Sequence, residues 1–154
     1  MCSNRKFISS WYNRLVNIYF AASIRAGRDD GQIYHEIVEE LSKYGEVLTK
    51  HVGNAALTPM GEEENSKKSI AARNAKWMQE ADVLVSEITQ PSLGVGYELA
   101  NAEVRGIPNL LLYRPTDDKS LSALIEGNEK FNIKNYTEVT EAKDLIKEFF
   151  EGLR

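Results

Sequence analysis

Short apolar runs rich in β-forming residues recur along this chain, and stretches with helical spacing lie between them. That alternation restricts the fold more than any other feature. Val16–Ala22 (VNIYFAA), Val83–Ile88 (VLVSEI) and Leu110–Tyr113 read as buried strands. Glu46–Leu48 reads as a further strand and Asn132–Tyr136 as a weak edge strand. Between the first two, Asp29–Tyr44 carries Ile33, Ile37 and Leu41 at intervals of four, with Tyr34 and Val38 beside them. That is one apolar helical stripe, with Asp29 and Asp30 suited to its positive start and Gly45 to its end. Ser69–Ala81 reads as the next helix, followed by Gly94–Arg105, which Gly106 and Pro108 close. Leu121–Ile125 reads as a short helix. Glu141–Leu153 is the last, with Ala142, Leu145, Ile146, Phe149 and Phe150 facing inward.

Strands alternating with helices predict an α/β fold with a doubly wound, five-stranded parallel sheet and helices on both faces. The expected arrangement is flavodoxin-like, with strand order 2-1-3-4-5. In such sheets ligands lie beyond the carboxyl ends of the strands, near the switch point between strands 1 and 3. Three segments are therefore candidates for function: 19–27, 88–98 and 114–122. The long polar connection Gly53–Lys68, with Pro59, Gly61 and the run Glu62–Glu64, is read as a lid or a mobile segment.

Composition sets outer limits. A length of 154 residues fits one domain, here residues 16–154 with 1–15 as an N-terminal extension. The net charge of −4 argues against a protein that holds nucleic acid through its phosphates, yet leaves room for a small anion at a local cluster of donors. The lone cysteine, Cys2, allows no disulfide within the chain and suits a reducing compartment. The cytoplasm is the expected location, with the nucleus as a second. The first residues hold no apolar run long enough for a signal-peptide core, and no membrane span is expected. Two histidines and one terminal cysteine do not make a metal site, and no cofactor is expected.

After the first strand the chain reads Ala22-Ser23-Ile24-Arg25-Ala26-Gly27-Arg28-Asp29. Small residues let backbone N–H groups approach a ligand, the following helix directs its positive end there, and Arg25 adds a fork of donors suited to a phosphate. A tight turn with two solvated arginines is the plainer reading of the same residues. After the third strand, Gly94 and Gly96 open a helix at a local cost of about 1 kcal/mol each relative to alanine. Such a cost suggests that something must approach the backbone. Glu98 lies one turn after Gly94, so its carboxylate shares that bare face; the alternative is an acidic residue that merely favours the helix dipole. His51 either contacts a base or is a solvated loop histidine. Ser92 caps its helix, binds phosphate, or does both. Trp77 and Met78 are read as core.

Taken together, IYFAASIRAGRDD (18–30), VLTKHV (47–52), ADVLVSEITQPSLGVGYELA (81–100) and RP…LSALI (114–125) resemble the 2'-deoxynucleoside 5'-phosphate N-hydrolases of the nucleoside 2-deoxyribosyltransferase superfamily. The resemblance implies a homodimer acting on deoxynucleoside 5'-monophosphates, with Ser122 donated across the interface. It implies that Glu98 attacks the anomeric carbon to form a covalent deoxyribosyl 5-phosphate intermediate, which water then releases. Tyr19 matches the tyrosine that positions nucleophile and sugar. Ala22, Ser23, Ile24, Arg25, Gly27 and Gly94 match the binding loops, with Arg25 and Ser92 at the phosphate and His51 near the base. One position departs from the pattern. Asn74 stands where the family has an aspartate that serves the base as proton donor. An amide hydrogen-bonds but delivers no proton at neutral pH, and losing general acid catalysis typically costs about 10²–10⁴ in rate. Asp82 is no substitute, because it precedes strand 3 and belongs at the opposite end of the sheet. The rival readings are a non-catalytic nucleotide-monophosphate-binding protein, a deoxyribosyltransferase, and a ribonucleotide hydrolase.

Overall fold

The structure, a computed structural model, describes residues 15–24, 30–54, 66–117 and 120–153. Among these, five parallel strands form one sheet in the order β2-β1-β3-β4-β5, as the alternation predicts. The strands are β1 (Val16–Ala21), β2 (Gly45–Val47), β3 (Val83–Glu87), β4 (Asn109–Tyr113) and β5 (Ile133–Asn135). The helices are α1 (Gly31–Leu41), α2 (Lys67–Glu80), α3 (Leu93–Arg105), α4 (Ala123–Glu126) and α5 (Val139–Gly152), and a 3-10 turn spans Lys50–Gly53.

The strand runs are nearly continuous in apolar residues because both faces of the sheet are covered. Ile18, Phe20, Val83, Val85, Leu110 and Leu112 face α1 and α5, where Tyr34, Ile37, Leu41, Ile146 and Phe150 complete one core. Tyr19, Ala21, Leu84 and Leu111 face the other side, where Met78, Val95, Leu99 and Ala102 complete a second core under α2 and α3. Period-2 alternation therefore sends Tyr19 and Phe20 into different layers. Across β1 and β3, Tyr19 pairs with Leu84 and Ala21 with Ser86.

Several boundaries differ from expectation for local reasons. The first helix ends at Leu41, and the Ser42 hydroxyl donates to the Val38 carbonyl at 2.8 Å as the chain turns away. Gly45 does not end that helix; it begins β2. A Cβ there would lie 2.2 Å from the Val16 carbonyl oxygen, so the close strand pairing itself requires glycine. α2 begins at Lys67 instead of Ser69 because Ser66 caps it, accepting from the Ser69 N–H at 3.1 Å. Of the long connection, residues 55–65 lie outside the described residues. Gly106 closes α3 at φ 64°, the left-handed geometry that favours glycine. Asp30 occupies the position before α1 but makes no side-chain cap; its carboxylate is engaged elsewhere, as described below.

Candidate active site

The β1 and α3 residues singled out from the sequence, Tyr19 and Glu98, meet in the layer that α2 and α3 form on one face of the sheet. Tyr19 points from β1 into the α2/α3 layer, and its hydroxyl donates to Glu98 Oε1 at 2.6 Å. Tyr19 is fully buried and Glu98 is half-buried. Removing a carboxylate from water favours its neutral form, so burial pushes Glu98 up to about 7, opposed by the hydrogen bond from Tyr19. The same burial, reinforced by the neighbouring Glu98, holds the Tyr19 hydroxyl well above its ordinary value; the charge of Arg73 acts in the opposite direction. The pair is thus a neutral phenol presenting a proton to a carboxyl group that gains its charge near neutrality.

Gly94 and Gly96 leave space beside this helix start. A Cβ on Gly94 would meet only the Ser92 hydroxyl at 3.7 Å, and one on Gly96 would meet nothing within 4 Å. Packing among the described residues therefore does not demand either glycine. Ser92 caps α3, its Oγ accepting from the Val95 N–H at 3.4 Å. A hydroxyl has one donor and two acceptor sites, so this cap leaves the Ser92 proton for another acceptor.

Helix α2 forms the facing wall. Its inward stripe is Ile70, Arg73, Asn74, Trp77 and Met78, while Ala71, Ala72, Ala75 and Lys76 are exposed. Met78 is core, as expected; Trp77 is half-buried, lying between the His51 ring at 5.6 Å and the Arg73 guanidinium at 4.6 Å from its centroid. Arg73 Nη2 lies 3.5 Å from Asn74 Oδ1. Arg105 ties this wall to α3 by donating to the carbonyls of Gln79 at 2.9 Å and Ala81 at 3.3 Å, and to that of Met78. Asp82 lies at the amino end of the sheet, where its Oδ2 accepts from the Asn17 N–H at 2.8 Å.

Of the first binding loop, Ala22 and Ser23 are buried and Ile24 packs against the α1/α5 core. Ser23 Oγ has no partner among the described residues. Arg25 and Gly27 lie outside the described residues. Ser122 caps α4, accepting from the Leu124 N–H at 3.3 Å, in the wall of a groove of about 710 Å³ whose lining does not include Glu98. Ser92, Leu93, Gly96, Leu99, Leu121 and Ile125 also line that groove.

A second polar cluster went unrecognised in the sequence. Glu87, fully buried at the end of β3 on the α1/α5 side, accepts at Oε1 from the Tyr136 hydroxyl at 3.0 Å and from the Thr89 hydroxyl. Thr89 Oγ1 accepts in turn from the Arg114 N–H at 2.8 Å, and the Arg114 guanidinium pairs with Asp30 at the start of α1. Burial pushes Glu87 up to about 7; the two hydroxyl bonds oppose that shift, and the charge of Asp30 adds to it. Its Oε2 has no partner among the described residues. A carboxylate inside the buried, mainly apolar run VLVSEI was the available signal. Arg73 was also missed; its signal was a cationic residue next to Asn74 on the inward stripe of α2. Among the described residues there is no cluster of three or more His, Cys, Asp or Glu fit to hold a metal ion, and no helix long and apolar enough to cross a membrane.

Comparison with known proteins agrees with this architecture. A zebrafish (Danio rerio) protein named 5-hydroxymethyl-dUMP N-hydrolase is 45% identical over 141 residues, covering 90% of this chain and 98% of that protein. The human (Homo sapiens) protein of the same name is 43% identical over 139 residues, covering 88% and 79%. A Nematostella vectensis protein, named putative 2'-deoxynucleoside 5'-phosphate N-hydrolase 1, is 45% identical over 141 residues, covering 88% and 95%. Among solved structures, the Clostridium botulinum CMP N-glycosidase BcmB superposes with a TM-score of 0.59 at 16% identity, covering 85% of this chain and 98% of that one, which supports the shared fold. Residues 18–143 match the family model described as Nucleoside 2-deoxyribosyltransferase, and the chain belongs to that family.

Proposed function

We propose that this chain hydrolyses the N-glycosidic bond of 2'-deoxynucleoside 5'-monophosphates, giving free base and 2-deoxyribose 5-phosphate through a covalent intermediate on Glu98. The observation that carries this reading is the 2.6 Å hydrogen bond from Tyr19 on β1 to Glu98 on α3, the helix that follows β3, in a chain closely similar to proteins named N-hydrolases. Tyr19 occupies Oε1, so Oε2 is the oxygen that attacks the anomeric carbon. Cleavage passes through an oxocarbenium-like state that a carboxylate at short range stabilises, and the intermediate divides one difficult step into two. Water attack at the same carbon then regenerates Glu98. A deoxyribose lacks the electron-withdrawing 2'-hydroxyl, which makes its cation easier to reach.

Binding follows the same logic. The Ala22–Gly27 loop, Ser92 and the bare face at Gly94 receive the sugar phosphate, with Arg25 and the free Ser92 proton on the phosphate oxygens. Phosphate is remote from the reacting carbon, so its binding energy serves to hold the sugar against Glu98. His51 and Trp77 border the base. Asn74 hydrogen-bonds the base without delivering a proton, which slows departure relative to a carboxylic acid at that position. The assembly is a homodimer that brings Ser122 to the partner's site. Leu93 at 97% exposure and Leu124 at 84%, on either side of the apolar groove, support such a partner face.

The family's description as transferases favours one second reading, in which an acceptor base intercepts the Glu98 intermediate instead of water. One experiment separates them. The chain is incubated with 5-hydroxymethyl-dUMP and a labelled free base, followed by mass spectrometry of the protein and chromatography of the nucleotides. Hydrolysis predicts deoxyribose 5-phosphate, a transient sugar phosphate on the Glu98 peptide, and no labelled nucleotide. Labelled nucleotide as the main product would establish transfer.

A further inference from the structure

Departure of the base leaves an electron pair on its nitrogen. In a uracil-type base that pair spreads over the ring carbonyls. If no acid protonates the base as the bond breaks, that negative charge must be stabilised otherwise, and Asn74 has no proton to give. Beside it on the same wall stands a cation. We propose that Arg73 stabilises the negative charge developing on the leaving base, replacing by electrostatics what a proton donor at position 74 would do. The inference rests on the functional reading above and deepens it.

The geometry favours this role over a solvated surface arginine. Arg73 lies on the inward stripe of α2 and is half-buried, whereas its neighbours Ala72 and Ala75 are exposed. Its guanidinium lies 4.6 Å from the Trp77 ring centroid, a contact that fixes the orientation of the planar cation. Trp77 is steadied in turn by the His51 ring at 5.6 Å. Nη2 reaches within 3.5 Å of Asn74 Oδ1, so the charge sits at the position where the family carries its acid. That charge is also felt at the Tyr19 hydroxyl, which places it on the reacting side of the helix. A guanidinium stays charged at all working pH values and presents several donors, so it holds an anion without surrendering a proton.

The balance of the reaction is complete without an acid. Glu98 Oε2 forms its bond to the anomeric carbon as the carbon–nitrogen bond breaks, and the electron pair departs with the base. The base anion rests against Arg73 until it takes a proton. Water attacking the intermediate releases one proton and restores the Glu98 carboxylate.

The test compares Arg73→Gln with the parent chain in single-turnover base release from dUMP and from 5-fluoro-dUMP, whose base is the better anion. Removing one preorganised donor from a developing charge costs on the order of 10²–10³ in rate. The expected result is a loss of roughly 100-fold for dUMP and a clearly smaller loss for the fluorinated nucleotide, with Arg73→Lys recovering part of the difference. The ratio of the two rates does not depend on the fraction of protein folded, so a purely structural role for Arg73 would leave it unchanged. Equal losses for both nucleotides, or no loss, would overturn the inference. Release of no base from either nucleotide by the parent chain would overturn the functional reading, and this inference with it.

Discussion

Tyr19 and Glu98 stand 79 residues apart in sequence, yet the phenol donates to the carboxylate at 2.6 Å, joining β1 to α3 at the candidate reaction centre. The bond favours the ionised form of Glu98, whereas burial favours the neutral form and prevails. Tyr19→Phe removes the opposing influence. The rising limb of kcat/KM against pH, which reports ionisation of Glu98 in the free enzyme, is expected near pH 7 in the parent and about one unit higher in the variant. At pH 7 ionisation alone then slows the variant roughly fivefold. An unshifted limb would show that Tyr19 does not govern the charge of Glu98.

Position 74 offers a test of the missing acid. Asn74→Asp supplies a carboxyl group, but Arg73 Nη2 at 3.5 Å from that side chain favours its ionised form. The sign is therefore definite: the gain requires the protonated acid and must shrink as pH rises. Expressed as a ratio to the parent at each pH, which cancels the titration of Glu98, base release is expected to increase at least tenfold on the acid side, the full gain of about 10²–10⁴ usual for general acids being reduced by ionisation beside Arg73. A ratio that does not vary with pH would show that the new carboxyl group is not acting as an acid.

Glu87 links pH to stability. Its value of about 7 in the folded protein lies above the ordinary 4.5, so the folded state retains a proton that the unfolded chain has released. The resulting stabilisation is fully present below about pH 4.5 and is lost as pH rises through about 7. Glu87→Gln keeps the shape and removes the titration. Relative to the parent, the variant is expected to gain stability between pH 5 and pH 8, by up to about 3 kcal/mol, in urea unfolding. A constant difference across that range would contradict a titrating Glu87.

How much of this was legible in the sequence depended on the range of each interaction. The parallel sheet follows from the alternation of strands with helices, which apolar runs such as Val16–Ala22 express directly, and right-handed crossovers leave few strand orders to choose from. Glu98 was visible because two helix-opening glycines with no structural need mark its face. The Glu87 network was not, because Tyr136 reaches Glu87 from 49 residues away and Arg114 reaches Asp30 from 84. Asp30 looked like a helix-dipole residue for the same reason: its sequence neighbours gave no hint of Arg114. Arg73 was overlooked because α2, short of apolar residues, offers only Ile70, Trp77 and Met78 to define its inward stripe.

The most direct measurement is release of free base from 5-hydroxymethyl-dUMP by the parent chain and by Glu98→Ala, with both proteins verified as folded. The account predicts release by the parent, with stoichiometric deoxyribose 5-phosphate, and a rate at least about 10³-fold lower in the variant, because the covalent route is gone. Equal rates in the two proteins, or no release by the parent, would contradict it.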